Sequence, residues 1–390
     1  MLPRMARRCA SLVAVVAAAA LARAAAAPQA APASPTVVEV YQAGEAGYHT
    51  FRIPSIVAAR DGTLLAFAEG RRAGAADAGD IDLVMKRSRD DGRTWSALQV
   101  IGDDGADTVG NPCPVLDRAT GTIWLLTTRN RGSDRERDIV AGTSQGTRTV
   151  WVMRSADDGA TWSAPVEITS DVKRPEWTWY ATGPGIGIQT RAGRLVIPAN
   201  HADKGTGTGA GIHRSHLVYS DDHGAHWVLG ASADPGTNES QVVELSDGRL
   251  LLNMRNHPPK AENVRMVATS ADGGRTLTPA RPDPVLIEPP AQASLVALPS
   301  ERGHARPRLV FANPASTKRE RLTVRVSEDD GATWPIARVV HEGPAAYSSL
   351  VALRDGSIGV LFERGDRSPY ERITFTRLTL AWLAAGTSRP

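Results

Sequence analysis

The sequence predicts an all-β chain folded as a six-bladed β-propeller, and three observations carry that expectation. An eight-residue pattern, S-x-D-x-G-x-T-W, recurs along the chain. Alternating apolar segments flank each copy, and no convincing amphipathic helix interrupts them. The clearest copies are Ser88-Arg-Asp-Asp-Gly-Arg-Thr-Trp95, Ser155-Ala-Asp-Asp-Gly-Ala-Thr-Trp162 and Ser327-Glu-Asp-Asp-Gly-Ala-Thr-Trp334. Weaker copies begin at Ser220 and Ser270, which spaces the set by roughly 50 to 70 residues. Each copy reads as strand, turn, strand. The Asp can hydrogen-bond amides of its own turn, the Gly accepts a positive φ, and the Trp packs the hairpin on its neighbour. A hairpin cannot bury one face alone, so a serial set of them closes radially.

The chain opens like an exported protein. Arg4, Arg7 and Arg8 form a basic start, residues 11–21 are apolar, and Ala24 to Ala27 offer small-residue cleavage sites. A signal peptide is therefore expected over 1–27, and with it a secreted or periplasmic location. The apolar run is too short to span a bilayer, so no membrane insertion is expected. An Ala/Pro linker follows over 28–35, and the propeller is expected over 36–385. Its strands are read at 37–41, 63–68, 122–127, 149–154, 193–197 and 241–245, then at 249–255, 266–270, 308–312, 322–327, 357–363 and 372–380. At four strands per blade this span suits about six blades. Asp-Gly pairs at Asp61, Asp247 and Asp355 read as hairpin turns. The first and last strands should meet in one blade. The Gly/Asp-rich stretches 73–79 and 200–211 read as rim loops, where a site would lie.

Composition excludes several classes. The net charge is only +3 on 45 basic residues, nearly all arginine and scattered, which argues against a nucleic-acid partner. Cys9 would leave with the signal, so the mature chain keeps Cys113 alone, read as a small buried hydrophobe. The histidines are scattered, with no metal-ligand spacing, so no metal and no cofactor are expected. The chain is expected to act as a monomer.

The segment Phe51-Arg-Ile-Pro54 precedes the five boxes. Together they resemble the sialidase (neuraminidase) family over essentially the whole mature chain. The sugars that this family cleaves carry a carboxylate on the anomeric carbon, and a planar, bidentate Arg suits it better than Lys. The resemblance implies three carboxylate-binding arginines. They are Arg52, Arg255 in Leu251-Leu-Asn-Met-Arg255, and a third in Lys318-Arg-Glu-Arg-Leu, where Arg319 is favoured and Arg321, of the same strand parity, stays open. It further implies Tyr347 as nucleophile and Glu239 as the carboxylate that takes its proton. A neutral phenol avoids bringing a second anion to an already anionic centre. Glu244 competes with Glu239 but sits inside an apolar strand. Asp77 matches the family's acid/base position, ahead of Asp80 and Asp82 in the same loop. Glu363 resembles the carboxylate that orients the first arginine, and Arg71 a further arginine near the carboxylate. Trp177 to Gln189 resembles a substrate-facing loop.

The implied activity is that of a retaining exo-α-sialidase acting on sialylated glycoproteins, glycolipids and oligosaccharides. Three rivals stand beside it: a trans-sialidase, or an intramolecular one yielding an anhydro product; a sialic acid-binding lectin without chemistry; and a protein-binding propeller. Asp77, Glu239 and Tyr347 together argue against the second, and the Phe-Arg-Ile-Pro segment against the third.

Overall fold

The computed structural model describes residues 35–204, 211–257, 263–299 and 306–386. The expected signal peptide and all but the last residue of the linker lie outside these residues. The chain is a β-propeller of six antiparallel blades. Blade one comprises Thr50–Ala58, Leu64–Arg71, Ile81–Ser88 and Gln99–Gly102; blade two Thr108–Leu116, Ile123–Asn130, Thr149–Ser155 and Val166–Glu167. Blade three comprises Trp177–Thr182 with the short Ile188–Gln189, then Leu195–Asp203, His213–Ser220 and Val228–Ser232. Blade four comprises Thr237–Glu244, Leu250–Asn256, Val264–Ser270 and Arg281–Ile287. Blade five holds Ser294–Ala297, Leu309–Pro314, Glu320–Ser327 and residues 336–344 of the long strand Ile336–Ala352. Residues 345–352 of that strand open blade six, which continues through Ile358–Arg364 and Arg372–Leu378 and is completed by Val37–Gln42. The first and last of the described strands thus share one blade, as the sequence predicted. The innermost strand of blade six lies against that of blade one, where Ser349 Oγ accepts the Ile56 N–H at 3.1 Å.

The core is divided among the blade interfaces, and the repeated boxes explain how. In the copy at Ser155, Ser155 Oγ donates to Asp157 Oδ1 at 2.8 Å and accepts the Gly159 N–H at 2.9 Å. Asp157 in turn accepts the Thr161 N–H at 2.9 Å and its hydroxyl at 2.6 Å. Gly159 has φ 78° and lies against Leu65 of the preceding blade, where an added Cβ would sit 2.1 Å from Leu65 Cδ2. Trp162 then meets Phe67 edge-on, 5.8 Å between centroids. Trp95 on Phe375 and Trp227 on Trp124 repeat this contact at other interfaces.

Several element boundaries differ from the sequence reading. The strands Leu195–Asp203 and Thr237–Glu244 extend toward the rim through residues with no apolar alternation, because those ends face a polar cavity rather than a core. Asn200 to Asp203 is therefore strand, not loop, while 205–210 lie outside the described residues. The last strand stops at Leu378. A six-residue helix, Leu380–Ala385, follows, with Thr379 Oγ1 accepting the Trp382 N–H at its start. Two other short helices, Glu136–Ala141 and Thr169–Val172, sit in connections. Among the described residues no helix is long and apolar enough to cross a membrane. Cys113 is fully buried in blade two.

Candidate active site

The innermost strands converge on one end of the ring, and five of the six break their ladder there. The register shifts between Arg52 and Ser55, Gly110 and Cys113, Trp177 and Trp179, Thr237 and Ser240, and Ala345 and Ser348. Ile53 and Asn111 take left-handed φ values of 59° and 54° inside these breaks. A bulge re-aims side chains that a regular strand would send into the blade interfaces. Here it turns Arg52, Asn111, Trp179, Glu239 and Tyr347 into a common cavity of about 190 Å³.

Three arginines and a phenol define one side of that cavity. Arg52 is buried; its Nε donates to Glu363 Oε1 at 2.8 Å, and the same oxygen accepts the Ile53 N–H at 2.9 Å. Glu363 Oε2 accepts the Tyr347 N–H at 3.0 Å, so one fully buried carboxylate locks the first arginine to the strand carrying the phenol. Tyr347 Oη donates to Glu239 Oε1 at 2.6 Å, and Arg255 Nη1 binds Glu239 Oε2 at 2.8 Å. Arg319 Nη1 donates to Tyr370 Oη at 2.6 Å, and the Tyr370 ring lies 4.1 Å under the Arg52 guanidinium. Burial pushes the Tyr347 phenol well above its ordinary value, Glu239 adds to that, and Arg255, Arg319 and Arg52 act against it. The phenol is therefore protonated at neutral pH, with its proton aimed at a carboxylate.

Asp77 stands at the mouth. Its side chain is 61% exposed, in the loop between the second and third strands of blade one. Arg71 Nη1 pairs with Asp77 Oδ1 at 2.7 Å, and Arg52 Nη1 lies 3.8 Å from the same oxygen. Burial would raise this carboxyl, but Arg71 and Arg52 outweigh it and hold it below its ordinary value. Glu69 holds Arg71 from behind at 2.6 Å, while its other oxygen accepts the Asn111 N–H at 2.8 Å.

Arg52, Arg71, Asp77, Glu239, Arg255, Arg319 and Tyr347 all line the cavity, with Glu363 directly behind. Arg321 does not. It takes a left-handed φ of 61° at a register shift and turns outward to pair with Glu342 at 3.4 Å. Arg319 precedes the strand, which begins at Glu320, so the two arginines do not share a strand parity. Trp177 and Trp179 also part, because the bulge lies between them. Trp177 stacks on His201 at 3.4 Å inside blade three, while Trp179 faces the cavity. Sequence reasoning missed Asn111, Glu136, Arg148, Asn200, His257 and the bridging Tyr370. Asn111 beside a Gly, at a strand's rim end, carried a faint signal. Glu136 and Arg148 carried none. Burial pushes Glu136 up to about 7, with Arg148 opposing and Asp77 and Glu239 adding to the rise. Among the described residues no cluster suited to a metal ion occurs.

Fold and site together define a class: propellers that present an arginine-lined anion pocket beside a hydrogen-bonded phenol and carboxylate. A family described as BNR repeat-like domain matches residues 62–360. The chain is 38% identical over 360 residues to a sialidase of Micromonospora viridifaciens, covering 87% of this chain and 53% of that protein. It is 34% identical over 374 residues to an exo-alpha-sialidase of Aspergillus fumigatus, covering 87% and 86%. The solved structure of Hadza microbial sialidase Hz136 superposes with a TM-score of 0.80 at 32% identity, over 88% of this chain and 68% of that one. The chain belongs to the sialidase family of glycoside hydrolases. It spans about half the length of the Micromonospora relative.

Proposed function

We propose that this chain is a retaining exo-α-sialidase, releasing terminal sialic acid from sialylated glycans through a covalent Tyr347 intermediate. The observation that carries the proposal is the 2.6 Å hydrogen bond from Tyr347 Oη to Glu239, set among Arg52, Arg255 and Arg319. The arginines take the substrate carboxylate bidentately and so fix the anomeric carbon over the phenol. Tyr347 Oη attacks that carbon as its proton passes to Glu239. The glycosidic C–O bond breaks, and Asp77 gives its proton to the leaving oxygen. Water then attacks the same carbon, Asp77 takes its proton, and Glu239 returns a proton to the departing phenolate. Two inversions leave the configuration retained.

Asp77 must be protonated for the first step, yet Arg71 and Arg52 favour its anion in the free site. Binding resolves the conflict: the substrate carboxylate offsets the Arg52 charge, and the Asp77 pKa rises as the sugar arrives. A cavity of about 190 Å³ suits a single sugar ring, which favours attack at chain ends. The basic and apolar residues of 1–27 support export, which N-terminal sequencing of the secreted protein tests.

Proton NMR during turnover of an aryl sialoside tests the mechanism. The α-anomer of free sialic acid should form first and then mutarotate; β-anomer as the first product would refute retention. Sialyl transfer to an acceptor sugar instead of release would assign the transferase reading. Tyr347→Phe should lower kcat by at least about 100-fold while keeping sialic acid binding.

A further inference from the structure

Two of the three carboxylate-binding arginines meet on a side chain that the mechanism does not use. Tyr370 lies in the loop between the strands Ile358–Arg364 and Arg372–Leu378 of blade six. Its hydroxyl accepts a hydrogen bond from Arg319 Nη1 at 2.6 Å, and the Arg52 guanidinium stacks on its ring at 4.1 Å. One side chain of blade six thus touches a cation from the strand Thr50–Ala58 of blade one. It also touches one from the connection just ahead of Glu320–Ser327 in blade five. The loop that carries Tyr370 is held from within. Glu371 gathers three backbone N–H groups on its carboxylate: Asp366 at 3.0 Å, and Arg367 and Ser368 both at 2.9 Å. Gly365 closes against the Ser368 carbonyl, with which an added Cβ would collide. The Glu371 carbonyl accepts the Ala43 N–H at 3.0 Å, which ties the loop to the chain just past its first strand. The ring itself packs against Ile53, Ala291, Ala346 and Tyr347.

The partners of the two cations show why they need a go-between. Arg52 Nε is paired with Glu363, whose carboxylate is already shared with the N–H groups of Ile53 and Tyr347. Arg319 has no carboxylate within ion-pair distance among the described residues. Its Nη2 donates to the Pro290 carbonyl at 2.9 Å, and its Nη1 donates to Tyr370. Two like charges that face one small cavity repel, so an empty site tends to spread them. Tyr370 offers each what it takes best: the negative face of the ring to Arg52 and an oxygen lone pair to Arg319. A carboxylate in its place would neutralise the pair and compete with the substrate. A ring face and a hydroxyl fix the direction of both guanidiniums and leave their charge for an incoming anion.

We propose that Tyr370 is a positioning residue for carboxylate recognition, which sets the spacing and direction of Arg52 and Arg319 before the substrate arrives. This rests on the sialidase reading above. A preassembled pair spares the substrate the cost of ordering two long side chains. Loss of Tyr370 should therefore weaken binding of the anion. The attack of Tyr347, which depends on Glu239 and Asp77, should stay largely intact.

Steady-state kinetics on an aryl sialoside test this, with melting curves to check folding. Tyr370→Phe keeps the ring under Arg52 and removes the acceptor of Arg319. It should raise KM by about 5- to 10-fold, with kcat within about threefold of the native value. Tyr370→Leu removes both contacts and should raise KM by about 30-fold or more. Because the hydroxyl acts through Arg319, Tyr370→Phe should lower kcat/KM by less than about twofold in an Arg319→Ala background. A merely structural role would give the same loss in both backgrounds. Where the Leu or double variant fails to fold or to turn over, the split between KM and kcat in Tyr370→Phe decides. An unchanged KM in Tyr370→Phe, a loss confined to kcat, or an equal loss with and without Arg319 overturns the proposal and leaves the sialidase reading intact. No turnover by the native enzyme defeats that reading and this proposal with it.

Discussion

At the scale of single residues, the site separates arginines that look alike in sequence. Arg319, just ahead of the strand Glu320–Ser327, and Arg321, within it, are two positions apart, yet one touches Tyr370 and lines the cavity while the other pairs with exposed Glu342. Lysine preserves the charge and loses the fork, so Arg319→Lys should lower kcat/KM on a sialoside by about 10-fold or more. Arg321→Lys should stay within about threefold, since exposed ion pairs contribute little. Steady-state kinetics on the two variants check this, and equal losses would mean that the outward pair is not the resting arrangement. Arg52, Tyr347 and Glu239 were legible because each sits in a distinctive local context, such as Phe-Arg-Ile-Pro. Arg148 was not, because about forty arginines share the chain and its context, Thr147-Arg-Thr, holds no motif. What makes it unusual is burial beside Trp179, a contact between two blades that no local window contains.

At the scale of elements, the bulge and the box do different work at opposite ends of the same blades. Bulges turn side chains into the cavity, while the boxes pin hairpins to the preceding blade. The box was fully legible, since its hydrogen bonds close within eight residues. The bulges were not, because a period-two reading assumes an unbroken pleat, and Trp177 and Trp179, read together as part of one substrate-facing loop, part across the bulge between them. The box glycine should matter more than its aspartate. Asp157 is exposed, so Asp157→Ala should cost about 1 kcal/mol, the ordinary net worth of a hydrogen bond in water. Gly159→Ala forces a Cβ against Leu65 at a left-handed φ and should cost about 2–4 kcal/mol. Urea denaturation of both variants gives the order, and a larger loss for Asp157→Ala would contradict it. Neither change should alter substrate affinity per folded molecule.

At the scale of the whole molecule, closing the ring with the first strand places residues more than 300 positions apart in contact, such as Arg52 with Glu363. Stability and chemistry therefore depend on one closure. Acid should expose a weak point in blade three. Burial pushes His201 down and pushes His216 down to about 3, and their Nδ1 atoms lie 3.0 Å apart. An imidazole with a native pKa below its unfolded value, near 6.5, is protonated preferentially in the unfolded chain. Stability present above about pH 6.5 is thus lost as pH falls toward 3, by at most about 1.4 kcal/mol per pH unit for each imidazole. The melting temperature should fall between pH 6.5 and 4.5, and His216→Gln should flatten that fall; an unchanged slope would clear the pair of the effect. The central claim is that Tyr347 forms the covalent bond to the sugar. Incubation with a 2,3-difluorinated sialic acid, followed by intact-mass and peptide mapping, tests it most directly. The account predicts one adduct per chain, on Tyr347 and absent from Tyr347→Phe; an adduct on Glu239 or Asp77 would contradict it.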